Sequence, residues 1–280
     1  MKKVFNKIYI AATIVLASLM SSCVDDSIIS NEEIGEGNAR IAATVSFKNF
    51  TPGLTDSRGT AGEELNSLKN LYIFAYSEDG SELLYTTNFT RAQLNPTNTN
   101  TQKPDGATSQ VETPTESATF NFPLPYGKYK IYAVANIPEQ YVAYFGENQV
   151  PNETALKSIS FPWNSNDIAS NAEMFGWFST QAFTSMNISG ENAFDAPVVT
   201  INKNGVTLNA WLRRLASKVT VSFDPGNLNE GVTIYIKSAT IRHIPANCTI
   251  GATNSPGSVD DLITAVDAEP TQIINYYTEG

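Results

Sequence analysis

The strongest constraint on the fold of this chain is a period-two alternation of apolar and polar residues that recurs along most of its length. In Ile41-Ala-Ala-Thr-Val-Ser-Phe47, residues Ile41, Ala43, Val45 and Phe47 share one face, and Ala42, Thr44 and Ser46 share the other. A repeat of two is the signature of a half-buried strand and is incompatible with a helix, whose faces repeat every 3.6 residues. Leu68 to Tyr76 reads as a second strand. Ser77-Glu-Asp-Gly80 follows as a hairpin turn with Gly80 able to take positive φ, and Glu82 to Asn88 reads as the returning strand. Alternation resumes at Ala118 to Leu124, turns at Pro125-Tyr-Gly127, and continues from Gly127 to Asn136. There Tyr129, Ile131, Ala133 and Ala135 form one face and Val134 makes the other partly apolar, which predicts a central strand covered on both sides. Further strands are predicted over Val198–Ile201, Leu208–Trp211, Val219–Phe223 and Val232–Ile244. Short helices are predicted near Gln140–Phe145 and Glu153–Ser158, and long polar loops over Thr51–Glu64 and Leu94–Ser117. Many short strands separated by turn residues predict an all-β fold of β-sandwich architecture.

The first 22 residues have a separate character. Lys2, Lys3 and Lys7 precede an apolar run from Ile8 to Met20, and Ser21-Ser22 stand directly before Cys23. That run is shorter than the ~20 apolar residues that cross a bilayer, and reads as a signal peptide. The segment resembles a bacterial lipobox with Met20 in place of the usual Leu; the alternative is an ordinary cleaved signal beside a chance cysteine. The lipobox reading makes Cys23 the acylated residue of an outer-membrane anchor. Val24 at the next position is not the Asp of inner-membrane retention signals. Asp25 and Asp26 resemble a surface-export signal, and also read simply as the start of an acidic tether. Asp26-Ser27-Ile28 matches a three-residue O-glycosylation pattern at Ser27, a pattern short enough to recur by chance.

Charge and chemistry narrow the function classes. The chain has 18 basic and 28 acidic side chains; removing the three signal lysines leaves 15 against 28, a net charge of −13. Such a balance argues against nucleic-acid partners and against attraction to anionic lipid. Cys23 and Cys248 are the two cysteines, so with Cys23 lipidated no disulfide framework is available and Cys248 reads as a small buried hydrophobe. His243 is the single histidine, beside Arg242 in a predicted strand, and no Gly-x-Ser-x-Gly occurs. No catalytic residue, metal ligand set or cofactor is expected. Trp163, Trp177 and Trp211 read either as core or as a sugar-stacking platform. The second reading would make the chain a non-polymerising surface glycan-binding lipoprotein.

Three segments carry a family resemblance. They are Leu65–Gly80 (LNSLKNLYIFAYSEDG), Tyr126–Asn136 (YGKYKIYAVAN) and Leu212–Val221 (LRRLASKVTV). Together with the lipobox, their order and spacing resemble the fimbrillin superfamily of lipoprotein pilins from gut and oral anaerobes. The usual Pro-Met-Ser/Gly segment is matched only in part by Glu173-Met-Phe-Gly176, and 67 residues follow Arg213, fewer than a complete second sandwich needs. The resemblance implies a signal peptide at 1–22, an acidic tether at 23–39, a Greek-key-like first β-sandwich domain at 40–195 and a second, partial β domain at 196–280. It implies a structural or accessory, adhesive fimbrial subunit that is not an enzyme. An Arg-specific protease would cut at Arg58, with Arg40 as runner-up. The strand bearing Ile41, Ala43, Val45 and Phe47 would leave, and a strand from another subunit would replace it. Its partners would be other fimbrial subunits, the outer membrane through the lipid, and a host or bacterial surface receptor. Arg58 also reads as a solvated loop arginine.

Overall fold

A computed structural model describes residues 36–48, 67–99, 115–162, 173–215, 240–245, 247–254 and 262–266. The strands in chain order are β1 (Asn38–Lys48), β2 (Asn70–Ser77), β3 (Leu83–Thr90), β4 (Thr97–Thr99), β5 (Thr115–Pro125), β6 (Gly127–Ala135), β7 (Ser160–Pro162), β8 (Met174–Ser179), β9 (Val198–Ile201), β10 (Thr207–Arg214), β11 (Thr240–Pro245), β12 (Asn247–Thr249) and β13 (Leu262–Val266). Two short helices, α1 (Arg91–Leu94) and α2 (Glu153–Lys157), and a 3-10 helix over Glu139–Phe145 complete the main elements. The fold is all-β, as the alternation requires.

Nine strands form one sheet in the order β3-β2-β6-β8-β10-β1-β5-β4, with β9 added beside β6. The sheet forms a sandwich that is nearly closed. One end of the order, β3, meets β5, next to the other end, through rings: Tyr85 of β3 stacks on Phe122 of β5 at 6.1 Å, and Phe89 of β3 lies 4.7 Å from Phe120 of β5. The first core fills the inside with the inward residues of β1, β2, β5, β6, β8, β9 and β10. β6 is covered on both sides, as its composition predicts. Ile131, Ala133 and Ala135 face the first core, while Tyr132 and Val134 face a second core. In that second core, Phe145, Val150, Leu156 and Phe161 from the connecting segments close over the outer faces of β2, β6, β8 and β10.

The β2–β3 turn shows why Gly80 is needed. Its φ is +76°, and a Cβ there would stand 2.1 Å from Glu153 Oε2. The Glu153 N–H donates to the Gly80 carbonyl at 2.9 Å, so the hairpin tip rests on the first turn of α2. Asn152 caps that helix by accepting from the Ala155 N–H at 2.8 Å.

The sequence reading places a domain boundary at 195/196, but the first sheet runs past it. β9 pairs with β6 from Val198 to Ile201, and β10 pairs with both β1 and β8. The Arg-containing segment at Leu212 therefore completes the first sheet, and does not open a separate one. The physical reason is that a strand's local pattern specifies which face is buried but not which distant edge it joins. β11 and β13 form a separate antiparallel pair, and β12 pairs with β7. The predicted strand Val219–Phe223 lies outside the described residues.

Candidate assembly site

β1 lies in the middle of the sheet. It runs antiparallel to β5 over eleven register pairs, from Asn38↔Pro125 to Lys48↔Thr115. On its other side it runs parallel to β10 over six, from Ala42↔Thr207 to Phe47↔Leu212. Its inward residues Ala39, Ile41, Ala43, Val45 and Phe47 are all at most 1% exposed. The outward side is polar: Thr44 Oγ1 bonds Thr119 Oγ1 at 3.1 Å, and Ser46 Oγ bonds Ser117 Oγ. Arg40, whose side chain is exposed, has both its backbone N–H and its carbonyl engaged by the turn before β10. Its N–H donates to Asn204 Oδ1 (2.9 Å) and its carbonyl accepts from the Gly205 N–H (3.1 Å).

Side-chain size in the slot is reciprocal. Ala43 sits between Leu208 and Phe120, while Val45 sits between Ala210 and Ala118. The inward stripe of β1 is thus fitted to its two neighbours and is not merely apolar. Fully burying an Ile, a Val and a Phe contributes about 5–9 kcal/mol at ~1.5–3 kcal/mol each, comparable to the whole stability of a typical domain. β1 therefore does not leave its slot unless something replaces it.

The slot ends in a group of charges. The Arg214 guanidinium of β10 lies over the Phe47 ring, 4.9 Å from its centroid. Burial pushes the Arg214 pKa down to about 10, against the opposing pull of the Glu116 charge. Glu116, the register partner of Phe47 on β5, is 5% exposed. It accepts from the Leu68 N–H at 2.6 Å and from Arg91 Nη2 at 3.0 Å, and Arg91 Nη1 donates to the Leu68 carbonyl at 2.8 Å.

The segment entering β2 is held at a second point. Asn136 ends β6 with φ +59° and is fully buried. Its Oδ1 accepts from the Lys69 N–H (2.8 Å), and its Nδ2 donates to the Ser67 carbonyl (2.9 Å). Asn70 reciprocates by bonding both the N–H and the carbonyl of Ile137 at 2.9 Å. Residues 67–70 are therefore fastened to the core independently of β1.

A third polar group is structural. Buried Glu153 accepts from the Tyr132 hydroxyl (2.6 Å), Lys130 (2.9 Å) and Lys157 (2.6 Å), and Lys157 also pairs with Asp195. Burial pushes its carboxyl upward, but these donors outweigh burial and hold it below the ordinary value. Among the described residues, no cluster of His, Cys, Asp and Glu suited to a metal ion occurs.

Of the sequence-predicted residues, Ile41, Ala43, Val45 and Phe47 come together on one buried stripe, and Arg40 lies on the same strand. Cys23, Asp25, Asp26, Ser27 and Arg58 lie outside the described residues. Trp177 and Trp211 are 4% and 5% exposed in the second core, which removes both from an exposed sugar platform; Trp163 lies outside the described residues. Cys248 is only half-buried, with Sγ 3.5 Å from the Leu215 carbonyl, and burial raises its thiol to about 11. Sequence reasoning missed Arg91, Glu116, Asn136 and Arg214 as partners. A usable signal was an acid and an arginine standing at the ends of otherwise inward-facing apolar stripes.

The family model for the fimbrillin-A associated anchor proteins Mfa1 and Mfa2 matches residues 40–271. No curated protein matches the chain. Among solved structures, a fimbrial assembly protein from Parabacteroides distasonis is similar at 10% identity and a TM-score of 0.47, covering 83% of this chain and 78% of that one. The C-terminally truncated tip fimbrial protein Mfa3 from Porphyromonas gingivalis is similar at 14% identity and a TM-score of 0.40, covering 82% of this chain and 65% of that one. The chain thus spans just under two thirds of the latter.

Proposed function

The chain belongs to the family of fimbrillin-A associated anchor proteins, and from that premise we propose that it is an accessory subunit of a surface fimbria, held to the outer membrane by lipid on Cys23 and joined to other subunits by strand exchange. In this reading Asp25 and Asp26 direct export and Ser27 carries a glycan. A protease cuts at Arg58, β1 departs, and an extended segment of another subunit takes its place between β5 and β10.

The observation that carries the proposal is the position of β1. It is paired on both edges, it supplies a complete inward stripe, and the core beyond it begins at a separately fastened segment, 67–70. Removing such a strand leaves two unpaired sheet edges above an apolar slot, which is the geometry that strand addition completes. Arg40 suits cleavage less well, because its N–H and carbonyl are both bonded to the 204–205 turn and a cut there leaves Ile41–Lys48 in place.

The test uses the chain without residues 1–22 and with Cys23→Ala, exposed briefly to an Arg-specific protease. The resistant core is sequenced from its N-terminus and run on a denaturing gel without boiling. A core beginning at Gly59 with stable multimers is expected if this chain both accepts and donates strands. The same core without multimers marks a terminal or anchoring subunit. An Arg58 that resists cleavage while β1 stays in place sinks the strand-exchange mechanism. For the anchor, radiolabelled palmitate in cells should label the natural chain and not Cys23→Ala.

A further inference from the structure

The charged end of the β1 slot has a role that its apolar floor does not. We propose that Arg214 selects an aromatic side chain at the last inward position of whichever strand occupies the slot, and thereby sets that strand's register. The identity of the incoming ligand rests on the strand-exchange reading above: an extended segment of a second fimbrial subunit. The contact itself is seen in the chain as it stands.

Arg214 follows Leu212 by two residues on β10, so the two point to the same face. Leu212 is the register partner of Phe47 and faces the first core. The Arg214 guanidinium continues that face and closes over the Phe47 ring at 4.9 Å. Across the strand, Glu116 pairs with Phe47 and is itself tied to Arg91 and to the Leu68 N–H. The apolar floor therefore stops at a wall of ionic groups. An aromatic face suits the last position before that wall because its quadrupole attracts the guanidinium while the ring fills the apolar space below. An aliphatic residue does only the second.

Register follows from this. A slip of one residue turns every inward side chain outward. A slip of two keeps the inward set but presents a residue equivalent to Val45 to Arg214, and moves Ala43's small side chain into the space between Ala118 and Ala210. The slot thus specifies an alternating sequence of small, branched, small, branched and aromatic residues. β1 itself supplies it with Ala39, Ile41, Ala43, Val45 and Phe47.

The experiment nicks the full chain with an Arg-specific protease and measures competition for the slot by labelled peptides. One peptide has the β1 sequence NARIAATVSFK, and another replaces its Phe by Leu. With Arg214 present, the Leu peptide should bind about tenfold to thirtyfold more weakly, the range for a desolvated cation over a ring. In Arg214→Met most of that difference should vanish, and in Arg214→Lys, which keeps a cation, much of it should persist. An equal loss in the natural chain and in Arg214→Met overturns the proposal while leaving strand exchange intact. If no peptide enters the slot, strand exchange fails, and the role of Arg214 is decided in the intact chain. There, the denaturation midpoints of Phe47→Leu, Arg214→Met and the double variant should be non-additive. Additive midpoint shifts overturn it.

Discussion

Replacing Gly176 by Ala should destabilise the protein, although the general effect of removing a glycine from a strand is the reverse. Gly→Ala within a strand ordinarily gains about 0.5–1 kcal/mol, because glycine has more backbone freedom to lose on folding. Gly176 lies on β8 opposite Ala133 of β6, in the stretch where β8 pairs with β10. A Cβ built there stands 2.6 Å from the Trp211 carbonyl oxygen and 3.1 Å from Leu212 Cδ2. The ordinary carbon–oxygen contact is about 3.3–3.6 Å, so β10 would have to retreat by roughly 0.7 Å or more. The obstacle is backbone, and the same stretch of β10 carries Leu212 against Phe47 of β1, so the shift would travel into the slot. Overpacking of this kind costs about 1–3 kcal/mol, and a net loss near 2 kcal/mol lowers Tm by about 4–8 °C in a chain of this size. Calorimetry of Gly176→Ala measures this directly. Gly146→Ala is the control: φ is −64° and the nearest atom to its Cβ is 3.7 Å away, so its Tm should hold or rise. A Gly176→Ala protein as stable as the parent would refute the close approach of β8 and β10, and with it the placement of β10 beside β1.

Three other outcomes are expected. Ile41→Ala should cost about 2–5 kcal/mol in denaturant unfolding, because Ile41 is fully buried beside Phe122, whereas Thr44→Ala on the outward face should cost well under half as much. Asp79 is held down to about 2 by hydrogen bonds from the Ser77 hydroxyl and from the N–H and hydroxyl of Ser81. A depressed carboxyl stabilises the fold above its unfolded pKa of ~3.9, and that contribution is lost as pH falls from about 4 through 2. A carboxyl NMR titration should show the low midpoint, and Asp79→Asn should flatten the acid limb of stability over that window. The Cys248 thiol, raised to about 11, should react with iodoacetamide at pH 8 more than tenfold more slowly than a peptide cysteine of pKa ~8.5, with full reactivity restored in denaturant.

Much of the fold was legible because strand burial is written locally. The alternation of Ile41 to Phe47 alone identified the buried stripe, and the two-sided apolar content of Tyr129 to Ala135 alone identified a central strand. The acidic-Gly turn at Gly80 and the short helices near 140 and 153 were equally local, since caps and turn residues act within a few positions. The candidate site was legible only in part. That β1 is the strand to be exchanged is an expectation from resemblance alone, and its neighbours β5 and β10 were not paired with it from the sequence.

What the sequence by itself determined is therefore the class of element and the face each element buries. Those follow from the two-residue period of an extended chain and need no knowledge of distant partners. What only the tertiary structure decided is which edges meet. It placed β10, more than 150 residues away, parallel to β1, and carried the first sheet past the boundary expected at 195/196. It brought Arg214 over Phe47 and Glu116 to Arg91 and Leu68. Pairing of this kind depends on side-chain size across two neighbouring strands at once, as with Ala43 between Leu208 and Phe120. Such a match belongs to three segments together and cannot be read from any one of them.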